Sequence, residues 1–234
     1  LLYRGLPLQQ IAVQGSSSLT PKAIVQSLEL EAGRSLDSIG PEELRNAIKR
    51  EPWIESLRSL RLPSGTLIIS VVEREAIARW RTDPTSVLAL IDHHGERFAA
   101  RIGPGGPLPL VLGKASGGPR LPTSAIKILA EIRRHVVLAG DANALTLHLP
   151  GQQRSDPELM QGDSATIDAD ADAGYILQIG DRGPRVLLGS NFLEQRIARL
   201  AVLLESEEPL VGNSRQIDLR YADRAVLRSE PASG

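Results

Sequence analysis

The sequence predicts an α+β chain whose N-terminal part runs β-α-α-β-β and whose remainder is mostly sheet with helices set between strands. Two observations carry this prediction. Residues 8–73 alternate between two-residue and helical apolar periods in that order, and after Arg81 the composition shifts to Gly- and Pro-rich stretches separating short apolar runs. A boundary is therefore expected near residue 78, with one domain at 1–77, a second at 78–229 and a polar tail at 230–234.

The first element is "LQQIAVQ", residues 8–14, which alternates and ends at Gly15 as a short strand does. In "SSSLTPKAIVQSLEL", Thr20 is placed to cap a helix, Pro21 takes its first position, and Ile24, Val25 and Leu28 share one face. A second helix opens at Pro41 with Glu42 and Glu43 in its first turn, where the helix dipole favours anions, and stops before Pro52. "WIESLRSL", the turn "RLPSGT" and "LIISVVERE" predict a hairpin with Leu67, Ile69 and Val71 on one face. Apolar parity slips between Leu57 and Leu60, which predicts a bulge or a loosely paired edge there. Both helices are short and must lie on one face of a three-stranded sheet to bury their stripes.

In the second half, "TDPTS" is a break and "VLALIDHHGERFAA" reads as strand, turn and strand, followed by a Gly/Pro-rich stretch through residue 122. Thr123 is expected to cap a helix in which Ala125, Leu129, Ile132 and Val136 recur at helical spacing. "ALTLHLP", "GYILQIG" and "PRVLLG" read as strands, the last two joined by a tight turn at Asp181 to Pro184. Asn191 with Glu194 predicts a capping box opening a helix with the stripe Leu193, Ile197, Leu200 and Leu204. "RQIDLRYADRAVLRS" closes the chain with two strands around a turn near Ala222 to Arg224, and the last of them is a candidate sheet edge.

Composition narrows the function. Of 234 residues, 41% are hydrophobic and 24% charged, the net charge is −1 and aromatics are 3%, so the basic field and stacking rings of a general nucleic-acid binder are missing. Without cysteine there is no disulfide, thiolate nucleophile or Cys-based zinc site. No apolar run approaches the roughly 18–20 residues that cross a bilayer. The chain begins at Leu1 rather than Met, which points to an excised signal or anchor, and the sequence leaves both open.

No motif completes a reactive constellation, and the sequence predicts neither a cofactor nor a metal. Asp168, Asp170 and Asp172 open like a calcium loop, but Ala173 replaces the turn glycine and Ile179 the closing acid, which favours a solvated loop. His93 and His94 are adjacent and would diverge on a strand, so a turn position fits them better. His135 and His148 have no carboxylate or histidine at a recognisable ligand spacing. "GSSSL" at Gly15 lacks the second glycine of a nucleophile elbow and suits a capping turn. In "GPGGP", Pro104 and Pro107 remove donors that a phosphate cradle needs. Glu73, Arg74 and Glu75 could form an acid/base set, but alternating charges are ordinary where a strand leaves the core.

Six segments, in order, carry a resemblance: "IAVQGSSSLTPKAIVQSL", "REPWIESLRSLRLPSGTLIISVVEREAIARW", "LIDHHGERF", "LPLVLG", "RVLLGSNFLEQRIARLAVLL" and "QIDLRYADRAVLR". Together they resemble the bacterial cell-division family FtsQ, also called DivIB, across nearly the whole chain. The resemblance implies a POTRA domain followed by a mixed, mainly antiparallel β-domain with flanking helices, both outside the inner membrane, behind a cytoplasmic tail and a single span. It also implies a non-enzymatic divisome role: an FtsB–FtsL coiled-coil pair adds a strand to the free edge of the β-domain, and other division proteins are possible partners of the POTRA domain. The family's contact tyrosine and the arginine before it correspond to Tyr221 and Arg220. The expected partner-binding set is Arg220, Tyr221, Ala225, Val226, Leu227 and Arg228. Some relatives carry an aromatic a few residues past the tyrosine, where this chain has Val226, Leu227 and Arg228. The ordinary alternative is an exposed tyrosine capping the sheet, with the arginine paired to Asp218 or Asp223. By the same resemblance, Trp53 is expected to anchor the second helix against the hairpin. Two rival classes remain: a POTRA-containing chaperone or transport module, for which no second β-α-α-β-β copy follows residue 80, and a hydrolase on the β-domain.

Overall fold

The computed structural model of the chain describes residues 5–31, 33–99, 106–151, 174–206, 211 and 213–229. The acidic run at Asp168 to Asp172, the first part of "GPGGP" and the tail at 230–234 lie outside the described residues. Two compact units divide the chain, Leu1–Glu75 and Ala76–Gly234. Among the described residues no helix is long and apolar enough to cross a membrane.

The first unit runs β1 (Gln10–Gln14), α1 (Pro21–Leu28), α2 (Pro41–Arg50), β2 (Ile54–Arg61) and β3 (Thr66–Glu73). Its sheet order is β1-β3-β2, with β1 parallel and β2 antiparallel to the central β3. Thr20 caps α1 through a 3.2 Å bond from the Ala23 amide, and Glu43 of α2 reaches back to the Gly40 amide at 2.8 Å. The alternation of β3 places Leu67, Ile69 and Val71 in one core with Ile24 and Leu28 of α1, Ala47 of α2, and Ile54 and Leu57 of β2. Trp53 is partly buried against that core.

The expected slip in β2 lies elsewhere than the parity suggested. Register shifts between Ile54 and Ser56, while Ser56 to Arg61 pair with β3 without interruption. One extra residue at Glu55 lets Ile54 and Leu57 share the buried face despite their three-residue spacing. Leu60 stays on the opposite face of an edge strand, 59% exposed.

The second unit is built on a sheet of nine strands. In chain order they are β4 (Ala76–Arg81), β5 (Ala89–Asp92), β6 (Arg97–Ala99), β7 (Leu110–Leu112), β8 (Leu145–His148), β9 (Tyr175–Ile179), β10 (Arg185–Gly189), β11 (Ser214–Asp218) and β12 (Val226–Ser229). In space they follow β12-β11-β10-β9-β8-β7-β4-β5-β6. The sheet is mixed and mainly antiparallel, its parallel pairs being β4–β7, β7–β8 and β10–β11. Parallel neighbours need long crossovers, and helices supply two of the three: α3 (Thr123–Arg134) and the one-turn α4 (Val136–Ala139) join β7 to β8, and α5 (Leu193–Glu205) joins β10 to β11, while β5 and β6 lie between β4 and β7 along the chain.

Three sequence expectations change here. β7 sits near the middle of the sheet although its surroundings read as loop, because three apolar residues between prolines and glycines are too short to display a period. α3 begins at Thr123 itself and ends at Arg134, and extended backbone at His135 turns Val136 outward to 84% exposure, so Ile128 rather than Val136 completes the stripe with Ala125, Leu129 and Ile132. The Asn191–Glu194 capping box is absent. Phe192 takes the cap position of α5 in left-handed backbone at φ 54°, with no side-chain cap, which delays the helix by one residue.

Candidate functional site

The best-defined candidate is the end of the large sheet formed by β11 and β12. Among the described residues β12 pairs with β11 alone, through Gln216↔Arg228, Ile217↔Leu227 and Asp218↔Val226. Ala225 and Leu227 pack toward the hydrophobic core, while Arg228 is exposed. Strand alternation therefore divides the four predicted edge residues between the two faces of the sheet.

Between these strands lies a turn whose geometry comes mostly from side chains. Asp218, buried at the end of β11, accepts from the Arg220 amide at 3.0 Å and Nε at 2.9 Å on Oδ1, and from Nη2 at 2.7 Å on Oδ2. Burial weighs against the Asp218 carboxylate, but the Arg220 bonds and the nearby Arg228 charge outweigh it and hold the group below the usual carboxylate range. Arg220 is thus bound by Asp218, the pairing that the ordinary alternative named. Tyr221 is 44% exposed, with the Arg224 guanidinium 5.0 Å from its ring centre.

Sequence reasoning missed two side chains that shape this turn. Arg196 donates to the Leu188 carbonyl and, at 2.7 Å, to the Arg220 carbonyl; Arg199 donates to the Tyr221 carbonyl at 3.0 Å and the Ala222 carbonyl at 2.6 Å. The available signal was the i,i+3 arginine pair in "RIAR" within an otherwise apolar stripe, which puts both on one helix face.

Glu73, in the first unit, is another acid whose pKa is lowered. Its carboxylate accepts from the amides of Ser17 at 2.8 Å, Ser18 at 2.9 and 3.0 Å, and Leu19 at 2.8 Å, and from Ser17 Oγ at 3.0 Å. Burial opposes its ionisation, but the Leu19, Ser18 and Ser17 donors prevail and bring its pKa down to about 2. "GSSSL" is therefore a cradle for a carboxylate of the same unit, entered through Gly15 at φ 84°, where a Cβ would stand 2.5 Å from the Val71 carbonyl oxygen. His93 and His94 lie in the turn after β5, their ring centres 3.9 Å apart. A carboxylate does reach His135: Glu131, four residues earlier, lies 3.1 Å from its Nε2.

A β-α-α-β-β unit with both helices on one sheet face defines a POTRA-type protein, and residues 6–74 match the family described as POTRA domain, FtsQ-type. Curated relatives agree across both units. The chain is 24% identical to "Cell division protein FtsQ" of Rhodothermus marinus over 98% of its own length and 80% of that relative. It is 30% identical to the protein of the same name from Rickettsia bellii over 57% of its own length, and 31% identical to that from Rhizobium meliloti over 47%. It spans about half or less of the length of those last two, 48% and 35%. Residues 6–74 thus match an FtsQ-type POTRA domain, and the chain as a whole is similar to cell-division proteins of that name.

Proposed function

We propose that this chain is a non-enzymatic scaffold of the division machinery, working outside the inner membrane behind an N-terminal anchor. It docks an FtsB–FtsL coiled-coil pair by accepting a strand at β12, and its POTRA unit engages other division proteins. The observation that carries this reading is the placement of β12 at the end of the nine-strand order, beside the exposed Tyr221. An edge strand offers N–H and C=O groups for a further ladder, and side chains beside it select the partner. Tyrosine and arginine are the types most often found to dominate such contacts. Similarity to proteins known as cell-division proteins supports a division role.

Capture of the FtsB–FtsL pair by the full chain tests the reading. Tyr221→Ala is expected to weaken capture by about tenfold or more, in line with an aromatic hot spot. Proline introduced singly at Val226, Leu227 and Arg228 is expected to abolish it at those positions whose N–H faces outward. Capture that survives all four substitutions at wild-type strength would rule out strand addition at β12.

A further inference from the structure

We infer that Arg196 and Arg199 are positioning residues of the docking edge, holding the carbonyls of Arg220, Tyr221 and Ala222 so that Tyr221 and the start of β12 meet an incoming strand in a fixed direction. This rests on the docking-edge reading above.

The argument begins with topology. Because β10 and β11 are parallel, their crossover helix α5 begins beside the C-terminal ends of both strands, where the β11–β12 turn starts. Its first two turns therefore face that turn, and Arg196 and Arg199 lie three residues apart on one helix face. Between them they engage three successive turn carbonyls and the end of β10 at Leu188. A guanidinium fork can span two carbonyls at once, whereas an ammonium is a single point of charge.

Two further features mark the arrangement as specific. Gly189 makes room for the Arg196 guanidinium: at φ 67°, its Cβ would stand 2.7 Å from Arg196 Nη1 and 3.3 Å from Arg220 Cγ. Burial and the neighbouring Arg199 weigh against the Arg196 charge, as Arg220 does more weakly, while Asp218 favours it. Crowding three like charges beside one acid is costly, so this geometry is held against repulsion. With its peptide units tied to α5, the turn keeps the Tyr221 ring exposed beside Arg224. A partner then meets an edge already ordered, without the entropic cost of fixing it during association.

A double-substitution cycle tests this on the full chain, with the FtsB–FtsL pair of the same organism as probe and the dissociation constant as readout. Arg199→Ala is expected to weaken binding by about tenfold in the wild-type background but by less than about threefold once Tyr221→Ala is present, because a residue acting through Tyr221 has little left to position. Arg199→Lys keeps the charge and reaches one carbonyl, so it should fall between wild type and alanine and show the same dependence on Tyr221. Equal weakening by Arg199 substitutions in both backgrounds, as a general structural role would give, overturns the inference. So does unchanged binding by Arg199→Ala beside a clear Tyr221→Ala defect, which leaves the docking-edge reading standing. A silent Tyr221→Ala with silent prolines removes that reading and this inference together.

Discussion

Two of the hairpins that end sheets, β2–β3 and β11–β12, are fixed in different ways. The β2–β3 turn is tied mainly by backbone, through Leu62 N–H to the Thr66 carbonyl at 2.9 Å and Gly65 N–H to the Leu62 carbonyl at 3.1 Å, with Gln9 N–H reaching the Gly65 carbonyl at 2.9 Å from the chain that enters β1. The β11–β12 turn is held from outside, by Asp218 through Arg220 and by two arginines of α5. A turn held by backbone bonds within its own sheet sets strand pairing. One bonded to a helix also sets the direction in which its side chains leave the surface, which is what selective docking needs. The edges differ too: β2 is bulged beside Glu55 and exposes Arg58, Ser59, Leu60 and Arg61 in succession, devices that discourage pairing, whereas β12 pairs without a shift from Val226 to Arg228 and is preceded by a pinned turn.

The largest effect expected from breaking this contrast lies beneath the β11–β12 edge. Ile217 is fully buried, pairs across to Leu227 and belongs to the core of the second unit. Ile217→Ala should therefore cost about 2–5 kcal/mol, read from urea unfolding, through lost burial plus an unfilled cavity. A cost under about 1 kcal/mol would mean that the edge is not braced by the core in the way the second hairpin requires.

The next largest sits at the end of β3 and sharpens the first hairpin. Glu73→Gln removes the charge from four donating groups and should destabilise the N-terminal unit by about 1–3 kcal/mol. The sign with pH is fixed by the lowered pKa. Because the folded value of about 2 lies below the ordinary 4.5, the stabilisation is complete above pH 4.5 and is lost as pH falls toward 2. Unfolding midpoints of wild type should drop across that window more than those of Glu73→Gln; parallel curves would mean the cradle contributes nothing.

How much of this was legible beforehand depended on whether a feature is local. The POTRA order, the Thr20 cap and the inward face of β3 followed from period and capping chemistry, which act within a few residues. The bulge at Glu55 was misplaced because parity reveals that a slip exists without saying where the partner strand absorbs it. β7 was too short to show a period, and its place near the centre of the sheet is a tertiary fact. At the site, Arg220 and Tyr221 were singled out through family resemblance, and the Asp218 pairing was weighed. The clamp from Arg196 and Arg199 was not, because it spans more than twenty residues through a parallel crossover that local pattern does not encode. Glu73 meets its cradle across a similar gap, 54 to 56 residues away in sequence.

The smallest effect on stability separates the two edges most sharply. Leu60 on β2 is 59% exposed and Tyr221 beside β12 is 44% exposed, so neither Leu60→Ser nor Tyr221→Ala should move unfolding by more than about 0.5–1 kcal/mol. Exposure alone would make them equivalent. Presentation distinguishes them, since the Tyr221 carbonyl is bound by the Arg199 side chain of a helix while Leu60 precedes a turn held mainly by backbone bonds within its own sheet. Binding of the FtsB–FtsL pair should accordingly be unaffected by Leu60→Ser and clearly weakened by Tyr221→Ala, with thermal midpoints nearly matched. An equal loss from both substitutions would show that any exposed apolar side chain on this protein serves the partner, and the contrast between a backbone-held turn and one clamped by helix side chains would then carry no functional meaning.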